Sequence, residues 1–150
     1  MESQSHSIFV FIGVLVVFFI FWVVLMKLLH TVSGWFALQE SFGTETVPSG
    51  REESFSYVQI GWLSYNGVIH ICFTEKGLYM DIFVLFRFGA GPVLIPWDNL
   101  IFKEKKRILW MDYVNLEAQL RNGKKIRLQF LDRIFTEYDL KKIRGYYATN

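Results

Sequence analysis

The stretch GLYMDIFVLFRFGAGPVLIPW (residues 77–97) decides how the second half of the chain is read, because it runs apolar where a half-exposed strand would alternate. Ile82, Phe83, Val84, Leu85 and Phe86 are consecutive. A strand over residues 78–88 puts Met80, Ile82, Val84, Phe86 and Phe88 on one wholly apolar face, which is the predicted core. Tyr79, Asp81, Phe83, Leu85 and Arg87 fall on the other face, polar at its ends and apolar in its middle. Phe83 and Leu85 then need cover, since each side chain left in water forgoes about 1.5–3 kcal/mol of burial free energy. The juxtamembrane segment, the bilayer surface and another protein are the expected sources. If the domain closes on itself, a fold-back of Trp35, Phe36 and Leu38 is the lid.

A membrane enters the argument through the front of the chain. Residues 8–26 (IFVFIGVLVVFFIFWVVLM) hold nineteen residues with no charged or polar side chain, long enough at 1.5 Å per residue to cross a hydrocarbon core. A cleaved signal peptide fits less well, because MESQSHS carries no Lys or Arg and no small-x-small site follows. The predicted organisation is a short tail (1–7), a transmembrane helix (8–29), a juxtamembrane helix and linker (30–53) and a β-rich domain (54–147). Lys27 and nearly every other cation follow the span, so the domain is expected on the cytoplasmic side. The lone Cys72 allows no internal disulfide and agrees with a reducing compartment.

Charge is unevenly spread around a net of +2. Residues 31–98 contain three basic and seven acidic residues, whereas 99–150 contain twelve basic and six acidic. Lys103, Lys105, Lys106, Arg107, Arg121, Lys124 and Lys125 are therefore candidates for anionic headgroups, each worth about 1 kcal/mol when well placed at a charged leaflet. Solvated lysines on hairpin tips explain the same residues.

From Phe55 the pattern takes period two. Val58, Ile60 and Trp62 share a face, Asn66-Gly67 offers a two-residue hairpin turn, and Ile69, Ile71 and Phe73 resume the apolar face. That turn pairs Trp62 with Ile71 and Ile60 with Phe73. Later, Val114, Leu116, Ala118 and Leu120 face Ile126, Leu128 and Phe130. A three-residue loop over 122–124 pairs Leu120 with Ile126 and predicts a G1-bulge turn with Gly123 at positive φ. Between the hairpins, short strands are expected at 93–95 and 100–103, with KEKKR (103–107) as a charged turn into a strand holding Trp110. Thr136 with Asp139 forms a capping-box signature, followed by Lys141, Lys142, Arg144 and Gly145, so a last helix is predicted with Leu140 and Ile143 inward.

About seven antiparallel strands closed by a C-terminal helix resembles a pleckstrin-homology-like sandwich or barrel. Over most of Thr31 to Leu140 the chain is similar to small bacterial single-pass membrane proteins with a pleckstrin-homology-like or GRAM-like domain. Gly77-Leu78-Tyr79, Phe86-Arg87, Ile95-Pro96-Trp97 with Leu100, and the Ser33-Gly34-Trp35 step with Leu38 and Phe42 carry the resemblance. Phosphoinositide binders of that fold place basic residues in the first hairpin; SYNGV (64–68) has none.

Chemistry is sparse. His70-x-Cys72 shares a strand face, but zinc needs three or four ligands and the other histidines, His6 and His30, flank the span. His30 could ligate a pigment or haem in a larger complex; an interfacial histidine is the plainer reading. There is no phosphate loop, nucleophile elbow or HExxH. The acids Asp81, Asp98, Asp112 and Glu117 are scattered, and basic residues alternating with aromatics near Lys103 to Trp110 do not outweigh a membrane anchor and a small net charge. No cofactor, metal, nucleic acid or small-molecule substrate is inferred. The expected function is non-enzymatic: a single-pass membrane protein whose cytoplasmic domain docks on a protein partner, as an accessory or structural subunit of a larger membrane complex of the photosynthetic or respiratory kind. Trp35, Phe36, Leu38, Phe83 and Leu85 are the expected partner or membrane contacts. Peripheral binding to anionic lipid is the alternative.

Overall fold

The computed structural model describes residues 2–147, with side chains from residue 6. Helix α1 (Glu2–Ser33) is continuous through the apolar segment, so the predicted tail is helical where described, and residues 30–33 belong to the same helix. It is one N-terminal helix long and apolar enough to cross a membrane, from His6 to Ser33. Its residues 6–21 are exposed, with Phe19 touching Phe88, and burial begins near Trp22.

Gly34 ends α1 and starts α2 (Trp35–Phe42). Its φ of 94° is left-handed, a conformation that costs other residues about 1–2 kcal/mol, and it swings the chain back into the domain. Trp35, Leu38 and Phe42 repeat at helical spacing and are buried.

Seven strands follow: β1 (Arg51–Ile60), β2 (Leu63–Phe73), β3 (Gly77–Ile82), β4 (Val93–Pro96), β5 (Leu100–Ile108), β6 (Met111–Gln119) and β7 (Lys125–Leu131). A one-turn helix α3 (Val84–Arg87) separates β3 from β4, and α4 (Glu137–Lys141) follows β7. The strands form one curled antiparallel sheet, a half-barrel, in the order β4-β3-β2-β1-β7-β6-β5. Alternate residues of β1, β2, β6 and β7, including Val58, Ile60, Ile71, Val114, Leu116, Leu128 and Phe130, fill its interior together with α2. The lid residues thus plug the core. They do not cover Phe83 and Leu85, which stay exposed.

The first hairpin turns earlier than predicted, at Gly61-Trp62, pairing Ile60 with Leu63 and Val58 with Tyr65. Asn66-Gly67 becomes a bulge in β2, opposite a shift between Ser56 and Tyr57. Tertiary contact overrode the stronger local turn signal. Gly61 has φ 60°, and a Cβ there would lie 2.7 Å from the Ser33 carbonyl, so the turn is fitted against the end of α1. This register brings Tyr65 inside and leaves Trp62 out.

Strand β3 stops at Ile82 instead of running to Phe88. Met80 and Ile82 are core as expected, but Val84 lies exposed on α3, and Phe86 and Phe88 turn toward α1. KEKKR is not a turn: it lies within β5, and the hairpin reverses at Leu109-Trp110. In the last hairpin Gly123 has the predicted positive φ, 82°, and Leu120 N–H donates to the Lys124 carbonyl. The loop is 121–123, so Ala118 faces Ile126. That slip of two residues keeps every side chain on its predicted face. The capping box is formed, with Asp139 accepting from the Thr136 N–H and hydroxyl and from Arg51 of β1. Leu140 and Ile143 are buried, and the helix spans five residues.

Candidate functional site

The domain is clamped to its helix by a buried polar cluster that no local motif announces. His30 is 1% exposed; its Nε2 donates to the Phe86 carbonyl at 2.8 Å, and its Nδ1 lies 3.0 Å from the Tyr65 hydroxyl. Because a carbonyl only accepts, Nε2 carries a proton and Nδ1 is left to accept from Tyr65. Ser33 Oγ sits 2.9 Å from the same hydroxyl and 3.1 Å from the His30 carbonyl. The Tyr65 ring stacks on His30 at 5.9 Å, and burial pushes its phenol up. Both imidazole nitrogens are therefore occupied by the protein, so His30 has no free nitrogen for a pigment or haem. Tyr65→Phe should leave Nδ1 without a partner and lower stability by about 1–3 kcal/mol, read as a fall in melting temperature in detergent. An unchanged melt would mean that the cluster does not hold the clamp.

Outside α1, three exposed apolar sites stand out among the described residues. Beside α1, Phe83, Val84 and Leu85 are exposed, with Phe55 of β1 packed on Phe83 at 6.4 Å between ring centroids. At the β1–β2 turn Trp62 is exposed. At the tip of the β5–β6 hairpin, Ile108, Leu109, Trp110 and Met111 are 39%, 76%, 80% and 39% exposed. Leu109 holds φ 56°, a left-handed conformation unfavourable for a branched residue. Sequence reasoning missed this tip because KEKKR was expected to turn the chain before it; four apolar residues in a row (ILWM) were the available signal.

The ends of β6 differ. Its C-terminal end lies by Ile126, whose side chain meets Gly34 at the α1–α2 junction, while the tip lies at the other end. Met111 and Ala118, the partner of Ile126, are separated along β6 by roughly 23 Å.

Of the expected contact residues, Trp35 and Leu38 are fully buried in the domain's own core and Phe36 is partly buried against it, so these three present little free surface. Phe83 and Leu85 remain available. The seven candidate headgroup cations do not form one patch. Arg121, Lys124 and Lys125 cluster near the junction, and Lys105, Lys106 and Arg107 sit toward the tip. Lys103 and Lys125 both reach Glu117, Lys105 pairs with Asp132 at 3.0 Å, and Arg107 is held by Asp112 at 2.6 Å. The Arg107 guanidinium keeps the Asp112 carboxyl below its ordinary range.

No metal-binding cluster of three or more His, Cys, Asp or Glu occurs among the described residues. His70 Nδ1 contacts Ser54 Oγ at 3.2 Å, and Cys72 is buried, its thiol pushed up by burial and then by the Glu52 charge. A thiol in that state is a poor nucleophile. No protein-family model, curated protein or solved structure matches the chain.

Proposed function

We propose that this is a non-enzymatic, single-pass membrane protein whose domain lies on the cytoplasmic side and docks on a protein partner, serving as an accessory subunit of a larger membrane complex. The observation that carries the reading is the β5–β6 tip. Leu109 and Trp110 are exposed at the end of β6 remote from the α1–α2 junction. Trp is the residue type most enriched at binding hot spots, and strain at Leu109 is retained where a shape is used. The clamp around His30 supports the same reading, since it fixes the tip relative to the span. In this proposal the half-barrel is a pleckstrin-homology-like scaffold used for protein contact.

Anionic-lipid binding survives as a second reading only at Arg121 and Lys124, which have no carboxylate within ion-pair distance among the described residues and lie near the junction. It gives the distant tip nothing to do.

The test is purification in mild detergent of the wild type, Trp110→Asp and the control Val47→Asp, whose site in the linker is equally open. A partner held by wild type and control and lost from Trp110→Asp supports the reading. The same protein recovered with all three, or none with the wild type, contradicts it.

A further inference from the structure

We infer that residues 83–88 form a second membrane-embedded element, a wedge sunk into the same leaflet as α1, and that the occupant of the Phe83, Val84 and Leu85 face is lipid. The geometry comes from two aromatic contacts. The Phe88 ring lies 6.1 Å from Phe19, and the Phe86 ring 5.9 Å from Trp22. Phe19 is eight positions before Lys27, the first charge after the apolar run, which places it roughly 12 Å inside along the helix axis. Rings that touch Phe19 and Trp22 are therefore below headgroup level, and the turn that carries them is drawn in with them.

Val84 and Leu85 are 65% and 63% exposed on that turn, beside a helix face that is itself exposed throughout residues 6–21. The uncovered apolar surface is thus continuous with the surface that the bilayer already covers. The polar groups agree. Arg87 is bonded to Asp81 at the base of the turn, so its charge is paired where the segment leaves β3. Trp62 is exposed in the turn against Ser33, and Arg121 and Lys124 occupy the neighbouring turn, so one aromatic and two basic side chains lie beside the point where α1 meets the domain. Backbone at this depth must have its hydrogen bonds met internally. Four bonds of this stretch are met within the protein: Phe83 N–H donates to the Val68 carbonyl, Phe86 N–H to Phe83, Ala90 N–H to Arg87, and the Phe86 carbonyl accepts from His30.

This inference rests only on α1 crossing a membrane and is independent of the docking tip. It is tested on the full chain in phospholipid vesicles by spin labels at Leu85→Cys, with Val17→Cys in the span and Val47→Cys in the linker as references. Cys72 is replaced by alanine, or left in place as a buried, unlabelled thiol if that background misfolds. A water-soluble nickel chelate should collide with the Leu85 label about tenfold less than with Val47, and about as rarely as with Val17, because a polar chelate is excluded from hydrocarbon. Equal collision at Leu85 and Val47 with Val17 protected overturns the wedge while leaving the span intact. Protection that disappears on dilution with lipid, together with spin–spin broadening, means that a second copy covers the face and also overturns it.

Discussion

Trp35→Ala is expected to destabilise the domain strongly while leaving the span helical. The indole is fully buried, packs on Tyr65 at 5.8 Å and donates from Nε1 to the Gly91 carbonyl at 3.0 Å, so it ties the α1–α2 junction to the loop before β4. Removing a buried Trp costs about 3–5 kcal/mol, and orphaning the carbonyl adds to it. Against a total stability of about 5–15 kcal/mol that is decisive. In detergent, near-ultraviolet dichroism should show the melting temperature falling by more than about 12 °C for a domain of this size. Helical signal from α1 should persist, since its backbone hydrogen bonds lie within the segment. Trp35→Phe, which keeps the packing and loses the donor, should recover most of the loss. A shift under about 4 °C for Trp35→Ala would mean that α2 is not part of the core.

The second large effect is alkaline. Tyr79 on β3 is 1% exposed, and its phenol is pushed up to about 12 from 10, by burial first and then by the Asp81 charge. The folded state favours the neutral phenol, so this contribution is complete below pH 10 and is lost as pH rises from 10 to about 12. A shift of that size corresponds to roughly 2–3 kcal/mol. Tyr79→Phe should remove that share of the alkaline decline, leaving the part due to other groups. Identical pH profiles for wild type and Tyr79→Phe would show that Tyr79 ionises freely in the folded protein.

The parts legible in the sequence were those whose signal is local. The span shows in its composition, the last hairpin in one clean alternation, and α4 in the Thr136–Asp139 box, which forms as its spacing dictates. The first hairpin was not legible, because Asn66-Gly67 outranks Gly61-Trp62 on turn chemistry alone. Only the approach of Ser33, distant in sequence, selects the other register. Residues 82–86 misled for a related reason: apolar residues in a row fit a strand with two buried faces and fit equally a turn lodged between a helix and lipid. Period two does not distinguish them once water is absent from one side. The clamp joins His30 to residues 35 and 56 positions away and has no spacing that could have been recognised.

Phe83 and Leu85 first posed the question of cover, and the two proposals answer it at separate ends: lipid for the wedge beside α1, a protein for the tip carrying Trp110. Photo-crosslinking in native membranes addresses the division most directly, with a photoreactive amino acid at Leu109 in one protein and at Leu85 in another. The account predicts a discrete protein adduct from position 109 and lipid adducts from position 85. Lipid adducts from position 109, or no adduct there at all, would contradict it.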